Sequence, residues 1–327
     1  MIDFNALAKV SRLLMDAELT PAQGQRFQPT GFPDLGAAEY TRPDGVDMLL
    51  VESTQSMANR LESVCWDEAT NDLVPALKGI PYVAIDAGDL GKSSSMLEFH
   101  RLNSPYIMGD EAFQAKLRNQ LGLKDKKEGE EDVPGALDLR KLAEVVFRYD
   151  PGSVLHGVFL EKIAGRLRLQ RALSAFIEAE DARRVESGGV KFDRLDPTGK
   201  ASGGAEKGFG NVPHHRVEYT ARKIIAYFNL DLSSIRGYGL PAHAENFLVV
   251  WSLWKIRKLL ESGLRLRTAC DFSVKRELQP TQPTALSIPA TTELETQLKT
   301  LIAECKPSFA SPPVTSVSFV SKKEKKK

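Results

Sequence analysis

Residues 11–20 read S-R-L-L-M-D-A-E-L-T, with apolar side chains at the alternate positions Leu13, Met15, Ala17 and Leu19. A period of two is typical of a strand that buries one face and exposes the other. We therefore predict a strand here, and the elements that follow it should cover its apolar face.

The next predicted elements are a hairpin and a helix. Residues 36–41 and 46–51 are strand-like runs joined by R-P-D-G, a turn sequence that predicts a hairpin. Residues 53–66, S-T-Q-S-M-A-N-R-L-E-S-V-C-W, place Met57, Leu61 and Val64 at helical spacing, which predicts one buried stripe. Ser53 is a good N-cap for this helix.

The rest of the chain mixes both kinds of element. Strands are predicted at residues 73–77, 80–85, 154–161, 224–232 and 264–272, with a strand or strand end around His100, Arg101 and Asn103. Helices are predicted at residues 110–121, from Asp138, at 244–262 and at 292–304, whereas residues 172–180 fit either type. This order predicts an α+β fold with helices on one face of a sheet and large insertions between its elements.

Three segments are predicted to lie outside regular structure. Residues 124–132, K-D-K-K-E-G-E-E-D, are expected to form an exposed charged loop. Residues 278–289 hold three prolines among polar side chains, which indicates a linker, and residues 306–321 are expected to be flexible.

Composition limits the class of protein. Of the 327 residues, 42% are apolar, enough for a large core, but no apolar run is long enough to span a membrane. The N-terminus lacks the regions of a signal peptide, and three scattered cysteines indicate reduced thiols, so we expect a cytoplasmic protein. The last seven residues hold five lysines and one glutamate and carry a charge of +4, so the rest of the chain carries −3 and the net charge is +1. Global charge therefore neither favours nor excludes binding to nucleic acid.

A glycine-rich stretch at residues 187–219 is the strongest sign of binding. It holds seven glycines, the cations Lys191, Arg194, Lys200, Lys207 and Arg216, and flat side chains between them. Positive charge with flat side chains is how proteins hold single-stranded nucleic acid, and glycines allow close backbone approach. We interpret the stretch as a projecting arm that lies along a polyanion; a disordered surface loop is the alternative.

The start of the predicted helix at Ser53 is a second candidate. Its first turn, Thr54, Gln55 and Ser56, is polar but uncharged, so its free backbone N–H groups could seat a phosphate. Asn59 and Arg60 follow one turn later. Ordinary capping with a solvated face is the alternative.

No catalytic motif is found in the sequence. It has no nucleophile elbow, P-loop, zinc-protease motif or dinucleotide fingerprint, so we predict a protein that is not an enzyme and needs no metal or cofactor. The adjacent His214 and His215 point to opposite faces of an extended segment and cannot chelate one metal unaided. Asp34 is the one acid near the candidate binding elements, and a nuclease carboxylate there is the alternative.

Several segments together resemble one known family. They are residues 26–37 (R-F-Q-P-T-G-F-P-D-L-G-A), 49–62 (L-L-V-E-S-T-Q-S-M-A-N-R-L-E), 100–107 (H-R-L-N-S-P-Y-I), 186–194 (E-S-G-G-V-K-F-D-R), 208–216 (G-F-G-N-V-P-H-H-R), 226–232 (A-Y-F-N-L-D-L) and 263–271 (G-L-R-L-R-T-A-C-D). This set resembles the CRISPR-associated backbone subunits of the RAMP superfamily found in type I-U, now I-G, Cascade complexes.

The resemblance implies an architecture and a set of partners. Residues 1–276 would form an RRM-like (ferredoxin-like) palm with a finger at about 21–52 and a thumb at about 187–216, followed at 277–327 by a Pro-rich linker, a short helix and a basic tail. Copies of the subunit would oligomerise along the spacer of a CRISPR RNA guide and present it for pairing with target DNA. The other partners would be the large subunit and the guide-end-capping or processing subunit of Cascade.

The resemblance also implies a set of RNA-binding residues, spread over the loop after the first strand, the helix start, the 100–103 segment and the arm. They are Arg26, Gln28, Ser53, Gln55, Ser56, Asn59, Arg60, Arg101, Asn103, Lys191, Arg194, Phe209, Asn211, His214 and Arg216. Related subunits of other subtypes often carry a cation at Ala58 or Asn59, which leaves Arg60 as the nearest one here. Type III relatives cut RNA with an aspartate in a loop comparable to that of Asp34, so the alternative function is a metal-dependent endoribonuclease.

Overall fold

The computed structural model describes residues 1–32, 34–123, 138–164 and 167–320. The charged loop predicted at 124–132 and the lysine tail at 321–327 lie outside these ranges.

Helices in the described ranges are short, apart from two long ones late in the chain. They are α1 (Phe4–Leu7), α2 (Thr54–Ser63), α3 (Glu111–Gln120), α4 (Leu139–Tyr149), α5 (Pro151–His156), α6 (Glu161–Ala164), α7 (Leu232–Gly237), α8 (Ala242–Glu261) and α9 (Thr291–Cys305). The helices predicted at 53–66, 110–121, from Asp138, at 244–262 and at 292–304 are confirmed by α2, α3, α4, α8 and α9.

Strands range from two-residue bridges to a 13-residue strand near the C-terminus. They are β1 (Arg12–Pro21), β2 (Gly31–Phe32), β3 (Gly36–Ala37), β4 (Glu39–Thr41), β5 (Asp47–Glu52), β6 (Trp66–Asp67), β7 (Asp72–Leu73), β8 (Tyr82–Asp86), β9 (Lys92–Ser94), β10 (Val158–Leu160), β11 (Leu167–Leu169), β12 (Leu173–Glu180), β13 (Arg183–Lys191), β14 (Val212–Thr220), β15 (Lys223–Asp231), β16 (Leu264–Arg267), β17 (Cys270–Gln282) and β18 (Val314–Ser318).

One antiparallel sheet organises the molecule. Among the described residues it has seven strands in the order β16-β17-β1-β15-β12-β5-β4. The predicted strand at 11–20 is β1, near the middle, and Leu13, Met15, Ala17 and Leu19 are all buried as their alternation requires. The predicted hairpin is β4 and β5, and the stretch at 172–180 is the strand β12.

Two helices cover the apolar face of this sheet. Along the chain the central elements run β1, α2, β12, β15, α8 and β17, and α2 and α8 pack on the sheet and on each other. Phe247, Trp251 and Trp254 of α8 are fully buried in this layer. The predicted mixed α and β class is therefore confirmed. No helix within the described ranges is long and apolar enough to cross a membrane.

Several predicted strands are confirmed only in part, and local backbone geometry explains each difference. Residues 264–272 form two strands, because the chain turns at Ala269, which has a φ of 58°. Residues 154–161 are divided between α5 and β10, because Asp150 caps a helix that ends at Gly157. Within residues 73–77 only Leu73 belongs to a strand, and a 3-10 turn begins at Pro75.

The strand predicted around residue 101 is wrong. Arg101–Asn103 is a 3-10 turn, and Arg101 has a φ of 52°, a left-handed conformation that cannot continue a strand. The side chain of Arg101 turns into the protein, where it contacts Glu62.

The C-terminal segment is more ordered than its sequence suggests. Residues 278–282, predicted as linker, continue β17 along β1. Residues 314–318, predicted as flexible, form β18, which pairs in parallel with β8, and Phe309 and Val317 are buried. Helix α9 packs on α8. The division of the chain after residue 276 stays a prediction.

Candidate nucleic-acid interface

The glycine-rich arm is a β-hairpin. Strands β13 and β14 pair from Arg183 opposite Thr220 to Lys191 opposite Val212. They follow β12 and precede β15 in the chain, so the hairpin extends from two paired neighbours in the central sheet. Most of its side chains are exposed. The stretch is thus a defined arm, whereas the sequence alone was also compatible with a disordered loop.

Two aspartates organise the tip of the arm, residues 192–211. Asp193 accepts hydrogen bonds from three backbone N–H groups of the tip, at 2.9 to 3.2 Å. Asp196 accepts from two backbone N–H groups and from the Ser202 hydroxyl, at 2.8 to 2.9 Å. These bonds lower the pKa of both carboxyls, chiefly through the N–H of Asp196 for Asp193 and through the hydroxyl of Ser202 for Asp196.

Two of the tip glycines are required by close backbone contacts. Gly199 and Gly210 have φ values of 71° and 81°, and a Cβ on Gly210 would lie 2.9 Å from the backbone nitrogen of Gly199. Larger residues would force the two segments of the tip apart.

The arm presents five of its predicted RNA-binding residues to solvent. Lys191, Arg194, Phe209 and His214 are exposed. Asn211 is exposed as well, and its side-chain oxygen accepts from the backbone N–H of Asp193 at 2.9 Å. Phe192, which was not predicted as a contact, is 77% exposed beside these cations.

Three further predicted residues meet at the base of the arm. Arg216 donates from Nε to the side-chain oxygen of Gln28 at 3.0 Å and from Nη2 to the carbonyl of Thr268 at 3.4 Å. The carboxylate of Glu218 lies 3.2 Å from Nη1 of Arg26 and 3.8 Å from Nε of Arg216. Residues far apart in the sequence are thus joined around one buried acid.

A second buried acid organises the start of α2. Glu52 is 1% exposed, and its carboxylate contacts Nε of Arg60 at 3.2 Å, the guanidinium of Arg267 and the hydroxyl of Ser56. Arg267 also donates to the carbonyl of Gln28 at 3.1 Å. One chain of polar contacts therefore joins the loop at 26–28, the arm, the β16–β17 hairpin and α2.

The helix starts where it was predicted, but only some of its predicted RNA-binding side chains are accessible. Ser53 is the N-cap and accepts from the N–H of Ser56 at 3.2 Å. Gln55 is exposed and Asn59 is half-buried. All three side-chain nitrogens of Arg60 donate hydrogen bonds within the chain, to the Glu52 carboxylate and to the carbonyls of Arg265 and Leu266. Burial lowers the pKa of Arg60. Arg60 therefore holds β16 against α2.

Arg101 is buried and Asn103 is half-buried. Arg101 is 7% exposed and makes two hydrogen bonds to the Glu62 carboxylate, at 2.6 and 2.7 Å, and one to the carbonyl of Gly157. The side-chain oxygen of Asn103 is also buried. The guanidinium of Arg101 belongs to the core, which argues against the expected RNA contact by this residue.

A groove runs along the base of the arm. It has a volume of about 570 Å³ and is lined by Gln28, Leu35, Arg184, Val217 and Arg267, among others. Its walls combine apolar side chains with two guanidiniums and the carboxylate of Glu39, and it adjoins the chain of polar contacts described above.

The alternative site at Asp34 gains no support from its surroundings. Asp34 is exposed. Within the described ranges, no group of three or more His, Cys, Asp or Glu side chains is placed to hold a metal ion. That the protein is not an enzyme stays a prediction.

Sequence reasoning missed Glu52, Glu218 and Arg267. Arg267 lies in the segment 263–271, but its position beside the start of α2 depends on the turn at Ala269. An acid in a basic arm gives no sign from sequence alone that it is buried.

Comparisons with known proteins point to one family. The model of the family described as CRISPR-associated protein GSU0053 matches residues 13–184, more than half of the chain. No curated protein matches.

Two solved structures are similar at low identity. One is titled "CRISPR RNA-guided surveillance complex, pre-nicking"; its chain is 14% identical, with 80% of this chain and 74% of that chain covered and a TM-score of 0.41. The other is Csc2 of Thermofilum pendens, which is 10% identical, with 94% and 83% covered and a TM-score of 0.33. Neither TM-score establishes a shared fold.

Proposed function

This chain belongs to the CRISPR-associated GSU0053 family, and we propose that it is a non-catalytic backbone subunit that binds CRISPR RNA in a type I-G interference complex. Its ligand is the sugar-phosphate backbone of a single-stranded guide, held independently of sequence. Base pairing by the guide then recognises the target DNA.

The observation that carries this proposal is the chain of polar contacts at the base of the arm. It brings the guanidiniums of Arg26 and Arg216 together around Glu218, while Arg267 and Arg60 are held by Glu52 and fix the neighbouring segments. Arginine is the side chain best suited to phosphate, since its planar fork matches the phosphate oxygens. The exposed cations and aromatic rings of the arm add the electrostatic and stacking contacts that single strands require.

The fold supports an RRM-like palm as the scaffold. The central strands run β17-β1-β15-β12, and the chain passes through them as strand, helix, strand, strand, helix, strand. This is the order of ferredoxin-like domains. The β4–β5 region would then be the finger, and the arm the thumb.

The proposed assembly is a polymer on the guide in the cytoplasm. Copies of the subunit line up along the RNA, with the large subunit and the guide-end-capping subunit as further partners. A repeated head-to-tail contact that does not close into a ring gives such a filament.

The first test is whether the purified protein carries RNA. We expect a raised ratio of absorbance at 260 to 280 nm and extractable RNA of discrete length. Nuclease treatment should dissociate the oligomer. An oligomer that persists after treatment would favour a polymer held together by protein contacts alone. Regularly spaced, magnesium-dependent cuts in complementary RNA, abolished by Asp34→Ala, would contradict the non-catalytic proposal.

The second test is the salt dependence of binding to single-stranded RNA. Each phosphate contact contributes about 0.7 to the slope of log affinity against log salt for single strands. Replacing the exposed Lys191, Arg194 and Lys200 by alanine should therefore lower the slope by about 2 and weaken binding at least tenfold.

The matched control for this variant removes three exposed cations elsewhere, at Lys9, Lys299 and Lys306. The change in net charge is the same, so an equal loss of affinity in the control would contradict a specific role of the arm. Binding that does not change with salt would contradict the electrostatic account altogether.

A further inference from the structure

We propose that the buried carboxylate of Glu218 is a positioning group that gathers Arg26 and Arg216 into one binding site for a backbone phosphate. This inference rests on the proposed RNA-binding function and adds the residues that form one of its phosphate sites. Its particular consequence is that an acid inside a polyanion-binding surface strengthens binding.

The geometry around Glu218 fixes the carboxylate first. Its side chain is 8% exposed, and Oε2 accepts from the hydroxyl of Ser187 on the opposite strand of the arm at 2.8 Å. Ser187 and Arg216 are direct cross-strand partners in the hairpin. The carboxylate is therefore held by the ribbon itself, next to the arginine that it orients.

A single β-bridge places Arg26 on the other side of the carboxylate. Phe27 and Tyr219 exchange two backbone hydrogen bonds, of 2.9 and 2.8 Å, which docks the 26–28 loop on β14. Phe27 is 1% exposed and packs edge-to-face on Phe272, so this docking is anchored in the core. The residue before Phe27 is thereby brought beside Glu218, with Nη1 of Arg26 3.2 Å from Oε2.

Both guanidiniums keep donors for a ligand. The Arg26 side chain is 55% exposed, and in the described part of the chain only Nη1 is engaged. Arg216 is 29% exposed and uses Nε and Nη2 for Gln28, which leaves Nη1. Two guanidiniums and one carboxylate leave a net charge of +1, and guanidinium donors suit the oxygens of a phosphate.

The two effects of the carboxylate have opposite signs. By long-range electrostatics alone, neutralising an acid on this surface should strengthen the binding of RNA. If the acid instead holds the two guanidiniums in register, neutralising it frees both long side chains, and ordering them again weakens binding. The sign of the change distinguishes the two.

The experiment compares Glu218→Gln with Glu186→Gln in the full chain, titrating both with single-stranded RNA. Glu186 is an acid of the same hairpin whose side chain is 65% exposed, so its variant makes the same change in charge without touching the site. We expect Glu186→Gln to bind as tightly as the unchanged protein or more tightly, and Glu218→Gln about tenfold more weakly. Equal or tighter binding by Glu218→Gln overturns the proposal.

A double-mutant cycle separates positioning from general damage. Arg26→Ala removes an exposed side chain and should not unfold the arm. If Glu218 acts through Arg26, then Glu218→Gln costs clearly less in the Arg26→Ala background than in the unchanged protein. An equal loss of affinity in both backgrounds overturns the proposal. That is the result expected if Glu218→Gln only perturbs the hairpin.

A readout without RNA keeps this inference distinguishable from the proposed function. Arginine Nε–H resonances of ¹⁵N-labelled protein are followed while inorganic phosphate is added. Shifts at Arg26 and Arg216 that disappear in Glu218→Gln support the site even if the protein fails to bind RNA. No shift at either arginine, in a protein that does bind RNA, refutes the site and leaves the proposed function standing.

Discussion

Replacing Arg101 by methionine should destabilise the fold and leave RNA binding unchanged. Arg101 and Glu62 form a two-bonded ion pair in which each side chain is only 9% exposed. Without the guanidinium, the buried Glu62 carboxylate loses its ion-pair partner, and breaking a buried pair in this way costs about 3–5 kcal/mol. That is a large part of the 5–15 kcal/mol by which domains are typically stable.

The pH dependence of this variant follows from the pKa of Glu62. Burial already raises that pKa, and Arg101 opposes the rise. In Arg101→Met the opposition is lost, so the folded-state pKa lies further above the unfolded value of about 4.3. Stability tied to an acid with a raised pKa is fully present below the unfolded value and is lost as pH rises through the folded one. The deficit of Arg101→Met should therefore be smaller at pH 5 than at pH 8.

Urea denaturation at both pH values measures the deficit, and the double variant Glu62→Met with Arg101→Met is the control. Replacing both charges by apolar side chains of similar size is often close to neutral, so the double variant should recover most of the lost stability. RNA affinity, measured well below the unfolding transition, should match that of the unchanged protein. A tenfold loss of affinity with unchanged stability would refute the assignment of Arg101 to the core.

Two further predictions concern the C-terminal strand and the tip of the arm. Val317→Ala removes buried apolar contacts and should lower the free energy of unfolding by about 1.5 kcal/mol. The control Val314→Ala changes a side chain that is 37% exposed and should change that free energy by less than about 0.5 kcal/mol. Equal effects of the two variants in a urea titration would mean that β18 is not docked. The pKa of Asp196 is lowered, chiefly by Ser202, so the tip is stabilised above the unfolded value of about 3.9 and loses that stabilisation as pH falls through the lower folded value. Titration of the Asp196 carboxyl carbon by NMR should show this lowered pKa, and an ordinary value would contradict the tip geometry.

The local elements were predictable where side-chain periodicity is strong. Alternation at Leu13, Met15, Ala17 and Leu19 predicted β1, and the spacing of Met57 and Leu61 predicted α2. Such patterns survive in the fold because burial of one face is what stabilises each element. The predictions failed where one residue changes the direction of the backbone, as at Arg101 and Ala269 with their positive φ angles.

The candidate site was only partly accessible from the sequence. The exposed cations of the arm and the cap at Ser53 lie where composition and capping rules put them. The contact of Arg101 with Glu62 was missed, because a basic residue in a polar segment looks the same in the sequence whether it faces solvent or a buried acid. Glu52 and Glu218 were missed for the same reason.

By itself, the sequence determined the sheet strand at 11–20, the capped helix at 53, the glycine-rich arm and the resemblance to a CRISPR-associated family, because these depend on residues close together in the chain. Only the tertiary structure decided which cations meet. The distance from Arg26 to Glu218, and from Glu52 to Arg267, is set by strand register and by the Phe27–Tyr219 bridge. Register is fixed by the burial of whole strand faces, which is a property of the assembled core and not of any one segment.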